Sequence, residues 1–360
     1  MRHIFEEAHI GRMKLKNRLV RSAMWENLAT DKGHMSEELF TLYEDLSKGG
    51  VGLIITGYAF VTPNEQPSPG MMGICDDTFI DEYKKLTDMV HLNDSKIVMQ
   101  IAYGGSQTGL SPEGRTIWGP SNIPDLAFGV IPTPMTREDI RTLVKAFGAA
   151  AKRTKEAGFD GVQIHGAHGY LLSQFLTPHY NRRTDEYGGT IQNRARIIEE
   201  IYHEIRQEVG NDYPVLLKFN AADFFKNGLT FEESRYVAQR FDTLGIDALE
   251  ISGGTFASGE QNPCRTKINT AEREAYHAEF AARVANEVTT PVLVVGGLRS
   301  PEVIEELMET TKIGFFSLAR PLLTEPDLPQ QWQNGNRSRA KCVSCNVCLQ
   351  GRRCVLTNPD

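Results

Sequence analysis

The sequence predicts a (β/α)8 barrel, and three observations predict it. Eight short apolar runs rich in Val, Ile and Leu alternate with longer amphipathic stretches. The 360 residues are enough for one such barrel, about 250 residues or more, with additions. The competing doubly wound sheet would carry a G-x-G-x-x-G turn after its first strand, and residues 21–30 contain no Gly.

The first run is "RLVRSAM" (18–24), followed by the helical pattern "SEELFTLYEDLSKGG". "GVGLIITGYAF" (50–60) leads into "DDTFIDEYKKLTDMVHLN", and "KIVMQIAY" (96–103) precedes "TREDIRTLVKAFGAAAKRTKEAG". "DGVQIHGA" (160–167) leads to "IQNRARIIEEIYHEIRQEVG", and "PVLLKFNA" (214–221) to "TFEESRYVAQRFDTLG". The last three runs are "DALEISGG" (247–254), "PVLVVGG" (291–297) and "IGFFSLAR" (313–320). Their helices are "EREAYHAEFAARVANEV", "SPEVIEELMET" and, after the eighth run, "EPDLPQQWQNG". Apolar residues recur at three- and four-residue steps in these stretches, and several end at Gly. The Gly/Pro-rich segment 104–134 follows the third strand, so it lies on the C-terminal face as a lid or binding loop. The barrel is expected over residues 1–335, with a cysteine-rich tail at 336–360.

A net charge of −7 argues against a nucleic-acid partner. No apolar run approaches the roughly 18 residues that span a bilayer, and the start lacks a secretory pattern. The expectation is a soluble cytoplasmic protein with no membrane partner.

Chemistry in such a barrel is built at the C-terminal strand ends. With period two, Val162 and Ile164 face the helices while Gln163 and His165 face the barrel interior. His168 follows in the loop on the same rim. Gln100 holds a comparable place in the third strand, and Lys218 interrupts the fifth, where a buried lysine needs an anionic partner. A metal pair at His165 and His168 would need a further ligand, and Asp160 lies at the opposite end of that strand. Gly296 and Gly297 follow strand seven, with Ser300 as an N-cap and Pro301 at the first helical position. Together with Arg320 after strand eight they form a phosphate-binding pattern.

"LKNRLVRSAM" (15–24), "GGVGLIITGYAFV" (49–61), "IHGAHGYLLSQFLTPHYNRRTDEYGGTIQNRARIIEEI" (164–201) and "GFFSLARPLLTEPDL" (314–328) resemble the Old Yellow Enzyme family of flavin-dependent oxidoreductases. The resemblance implies FMN held non-covalently, reduced by NADH or NADPH, and a small-molecule activated alkene as acceptor. It implies that Ser22, Ala23, Met24 and Gly57 contact the isoalloxazine and that Gln100 bonds its pyrimidine edge. Lys218 would sit near N1 and O2, and His165 would border the cofactor as well as the substrate. Gly296, Gly297, Ala319 and Arg320 would hold the phosphate. His165 and His168 would grip the substrate carbonyl oxygen, and Tyr170 would donate a proton. Trp25 departs from the Cys or Thr that many members carry near the flavin, and Ala319 replaces a more usual glycine.

The tail "KCVSCNVCLQGRRCVLTN" spaces Cys342, Cys345, Cys348 and Cys354 as C-x2-C-x2-C-x5-C. It resembles the iron–sulfur segment of the trimethylamine dehydrogenase and 2,4-dienoyl-CoA reductase branch, although the last gap is shorter than in those relatives. A 4Fe–4S cluster, a zinc site, and a metal-free tail packed in a homo-oligomer are the three readings. The tail also raises an amine dehydrogenase or demethylase as the alternative to an ene-reductase. A Schiff-base lyase using Lys218 is the alternative from another reaction class.

Overall fold

The computed structural model describes residues 2–63, 65–110, 115–350 and 354–357. Eight parallel strands close into a barrel: Leu19–Arg21, Leu53–Ile55, Lys96–Ala102, Gly161–Gly166, Val215–Asn220, Ala248–Ser252, Val292–Val295 and Phe315–Leu318. Each pairs with the next, and Phe315–Leu318 returns to Leu19–Arg21, which closes the ring. All eight lie inside the predicted runs.

The helices follow as expected: Glu37–Lys48, Ile80–Leu92, Arg137–Glu156, Ile191–Val209, Phe231–Leu244, Ala278–Glu287, Pro301–Thr310 and Leu328–Gln333. Thr136 and Thr230 head two of them with capping boxes, completed by Asp139 and Glu233. The helix predicted from Glu272 begins only at Ala278, because Ala271–Arg273 forms a separate 3-10 turn.

Alternation along the strands divides the interior into two layers. Val20, Leu53, Ile55, Val98, Leu216, Ala248, Leu293 and Phe315 form an apolar lower core. A hairpin of Ala8–Ile10 and Met13–Leu15 seals it with the buried side chains of Ala8, Ile10, Met13 and Leu15. Two residues further along the same inward faces come Ser22, Gln100, Lys218, Glu250, Val295 and Ser317, all but Val295 buried. The barrel is therefore dry below and polar at the end where its loops gather. Val162 and Ile164 pack outward with the helices, as the period-two reading requires. The tail lies on the barrel: Ala340 N donates to Arg299 O at 2.9 Å, and Arg299 Nη2 donates back to Ala340 O at 2.8 Å.

Among the described residues, no helix is long and apolar enough to cross a membrane.

Candidate active site

A cavity of about 510 Å3 opens at the C-terminal end of the barrel. Of the residues singled out from sequence, Ser22, Ala23, Met24, Gln100, His165, His168, Tyr170, Lys218, Gly296, Gly297, Ala319 and Arg320 all line it. Gly57 does not. Its backbone N–H donates to Tyr43 Oη at 2.9 Å. A Cβ there would strike Glu26 and the Met24 carbonyl, so this glycine lets the second strand pack behind the Met24 segment. Glu26 is fixed in turn by Arg21 and by the Tyr43 hydroxyl at 3.0 Å. Trp25 lines the cavity half-buried, with its indole N–H donating to Pro69 O at 2.8 Å.

Cross-strand register brings the polar groups together. Gln163 stands opposite Gln100, His165 opposite Lys218, and Lys218 opposite Glu250. Gln100 Nε2 donates to Gln163 Oε1 at 2.7 Å, and Lys218 Nζ donates to Ser22 Oγ at 2.9 Å. The anionic partner that Lys218 requires is Glu250, 3.4 Å away.

The histidine pair is neutral. Burial, reinforced by the Lys218 charge, holds both imidazoles well below the ordinary histidine range. Their rings meet edge to face with centroids 5.4 Å apart. His165 Nδ1 is buried without a partner. His168 Nε2 lies 2.6 Å from Ser252 Oγ. When that hydroxyl donates, Nδ1 carries the proton on the opposite edge of the ring. His168 has a left-handed backbone (φ 64°), with its N–H donating to Asn220 Oδ1 at 3.1 Å and a bridge to Thr255. Tyr170 stacks obliquely on His165 at 4.9 Å, and its hydroxyl hydrogen-bonds that of Tyr58. Burial lifts Tyr170 well above the usual phenol value and Tyr58 to about 12, so both stay protonated. Tyr58 and Ser252 were not legible as site residues from motif alone.

At the far end Gly296 (φ 144°) and Gly297 (φ 75°) run under Tyr276, whose ring a Cβ on either would strike. Ala319 has φ −117° and ψ −83°, outside the ordinary helical and extended regions, so its backbone is not the ordinary one that a methyl group in place of glycine calls for. Ser317 Oγ is buried without a partner beside them. Ser300 is the N-cap of the helix Pro301–Thr310, as expected, but its side chain makes no capping hydrogen bond. Ser300 Oγ donates to Glu274 Oε1 at 2.6 Å, while Glu274 Oε2 accepts from the N–H groups of Arg299 and Ser300 at 2.7 and 2.9 Å. The Ser300 hydroxyl is thus committed to Glu274 rather than to the first turn of the helix. Arg320 Nη1 donates to Arg265 O at 2.9 Å and to Asn346 Oδ1 of the tail.

The tail closes this end of the cavity with Ser344 and Leu349. Cys342, Cys345, Cys348 and Cys354 all border one small neighbouring pocket with Arg320 and Thr324. Burial raises the Cys348 thiol to about 11. Among the described residues no three such side chains are drawn to metal-ligand distance.

Residues 3–338 match the NADH:flavin oxidoreductase / NADH oxidase family. The chain belongs to this family. An NADH oxidase of Thermoanaerobacter brockii is 34% identical over 97% of this chain and 54% of its own length. An NADPH dehydrogenase of Bacillus licheniformis is 32% identical over 91% of this chain and 93% of its own. The solved structure of a 2-naphthoyl-CoA reductase superposes with a TM-score of 0.88 at 26% identity, covering 98% of this chain and 56% of that one. Morphinone reductase, at 22% identity and a TM-score of 0.78 over 93% of this chain and 92% of that one, shares the fold. This chain therefore spans about half the length of some of the curated relatives it matches and nearly all of others. The resemblance to Old Yellow Enzyme and the barrel architecture are both borne out.

Proposed function

We propose that this chain is an FMN-dependent oxidoreductase that reduces the activated C=C bond of α,β-unsaturated carbonyl compounds, with NADH or NADPH as hydride source. The supporting observation is the neutral pair His165 and His168 lining the cavity, one with a buried Nδ1 that has no partner among the described residues.

The residues present fit the cofactor. Ser22, Ala23, Met24, Gln100 and Lys218 would hold the ring system, and Gly296, Gly297, Ala319 and Arg320 the phosphate. Bound there, FMN supplies a hydride carrier between the nicotinamide and the alkene. Hydride arriving at the β-carbon of an enone moves charge onto the carbonyl oxygen. His165 and His168 stabilise that oxygen as preplaced donors in a site from which water is excluded. Tyr170, kept protonated by burial, delivers a proton to the α-carbon as general acid. Ser252 holds His168 in the donating tautomer, and Tyr58 holds the Tyr170 hydroxyl.

The runner-up, an amine dehydrogenase, draws on the cysteine tail. The cavity argues against it, because His165 and His168, both held neutral by burial, line it as a donor pair suited to a carbonyl oxygen. We also propose that the four tail thiols hold a 4Fe–4S cluster. The C-x2-C-x2-C spacing is the support for this, the four thiols border one small pocket without reaching metal-ligand distance among the described residues, and no step above passes through the cluster. Anaerobic turnover of 2-cyclohexen-1-one against dimethylamine and trimethylamine decides the reaction. NAD(P)H-dependent formation of cyclohexanone supports the proposal, whereas amine oxidation without enone reduction overturns it. Iron and labile sulfide on the same sample decide the tail.

A further inference from the structure

Within the polar layer lies a carboxylate that the reaction above leaves unused. Glu250 is 0% exposed, in a strand whose other residues are Ala, Leu, Ile and Ser. Its Oε1 accepts from Ser22 Oγ at 2.7 Å, and its Oε2 accepts from Gln163 Nε2 at 3.0 Å and stands 3.4 Å from Lys218 Nζ. Through Gln163 it also steers Gln100, whose Nε2 donates at 2.7 Å. One carboxylate therefore governs Ser22, assigned to the isoalloxazine, together with Gln100 and Lys218, the two polar residues assigned to its pyrimidine edge.

Resting on that flavin placement, we propose that Glu250 is the positioning residue that sets the reduction potential of the cofactor, by offsetting the charge of Lys218. Two-electron reduction places negative charge on the N1–C2=O edge, and a cation beside that edge favours the reduced form. Charges near a flavin ring are among the levers by which a protein tunes it. A carboxylate 3.4 Å from the ammonium, in a low-dielectric layer, cancels much of the cation's field at the ring. Stability alone gives little reason for the pair, because apolar side chains of similar volume are commonly as stable there or more so. With Lys218 offset, the reduced flavin remains a strong hydride donor to a weakly electrophilic alkene. With Lys218 bare, it accepts hydride from NADH readily and gives it up reluctantly.

The test uses the full chain loaded with FMN, equilibrated anaerobically against a reference dye, with sulfite affinity as a second readout. Glu250→Gln is expected to raise the ratio of reduced to oxidised flavin at fixed potential by about tenfold or more, equivalent to about 30 mV for two electrons. It is also expected to tighten sulfite binding, speed flavin reduction by NADH and slow reoxidation by the enone. Glu250→Asp, which draws the carboxylate back by one methylene, shifts the ratio the same way by less, and carries the test if Glu250→Gln does not retain flavin. Lys218→Met is the control for flavin placement and must lower the ratio. If the chain binds no FMN, or Lys218→Met leaves the ratio unchanged, the flavin placement itself fails. If Lys218→Met shifts it while Glu250→Gln and Glu250→Asp leave it unchanged, this inference alone is overturned.

Discussion

Replacing His165 with Phe separates the chemistry of the donor pair from its packing. The imidazole is 3% exposed and packed against Tyr170 at 4.9 Å and Tyr58 at 6.1 Å, so a phenyl ring of similar shape keeps the aromatic contacts. Nδ1 has no partner among the described residues. Leaving a polar group buried and unpaired costs about 1–3 kcal/mol, so the variant should be as stable as the parent or more so. Activity should move the other way. Loss of one preorganised donor at a developing oxyanion costs about 2.7–4 kcal/mol, or 10²–10³ in rate. His168 remains, braced by Ser252, which puts the expected loss near the lower end, about a hundredfold. The assay is anaerobic mixing of the reduced, FMN-loaded enzyme with 2-cyclohexen-1-one, following flavin reoxidation. Reoxidation by oxygen, which has no carbonyl to grip, serves as the internal control and should be unchanged. Because burial and Lys218 hold both imidazoles well below the ordinary histidine range, the enone rate should lack the acid limb that an ordinary histidine would impose at about pH 6.5. A loss smaller than about tenfold, or an equal loss with oxygen, would refute the donor assignment.

Tyr170→Phe should slow enone reduction by about 10² or more, the usual scale for a general acid, with incorporation of solvent deuterium at the α-carbon slowed in parallel. His277 is fully buried with neither ring nitrogen partnered, and burial lowers it from 6.5 to about 3. The unfolded chain takes up this proton below about pH 6.5 and the folded one does not, so stability falls by about 1.4 kcal/mol per pH unit from there down to the folded value. His277→Leu should remove that share of the slope, read from Tm between neutral and mildly acid pH, and an unchanged slope would count against it. Phe128 and Phe256 meet edge to face at 5.9 Å over the cavity mouth, each roughly half exposed. Phe256→Ala should therefore raise KM for 4-phenylbut-3-en-2-one by about tenfold while leaving that for 2-cyclohexen-1-one unchanged, the scale of one lost aromatic contact.

The barrel was legible because parallel strands buried on both faces read as uninterrupted apolar runs, and each of the eight was bracketed by helical periodicity. Period two then placed Gln163 and His165 inward, and the structure agrees. The same rule applied to "DALEIS" would have turned Glu250 inward beside Lys218, but one acid in an apolar strand gives no motif to notice. Its meaning comes from the register Lys218 to Glu250, which a single strand does not carry. Ser300 looks like an N-cap because Pro301 follows it, and it holds that position, but its hydroxyl is turned to Glu274, 26 residues earlier, by a tertiary contact that the local sequence does not carry. The helix Leu171–Leu176 was missed because six residues are too few for a helical period to register, and it is buried on every side, Ser173 and Gln174 included. The hairpin at Ala8–Leu15 has strands of only three residues, too short for alternation to register.

The central claim is met most directly by one anaerobic experiment: full-length chain loaded with FMN, reduced by one equivalent of NADH or NADPH, then given one equivalent of 2-cyclohexen-1-one. The account predicts bleaching of the flavin bands, their full return on adding the enone, and one equivalent of cyclohexanone. A flavin that stays reduced in the presence of the enone, or a chain that binds no FMN, would contradict it.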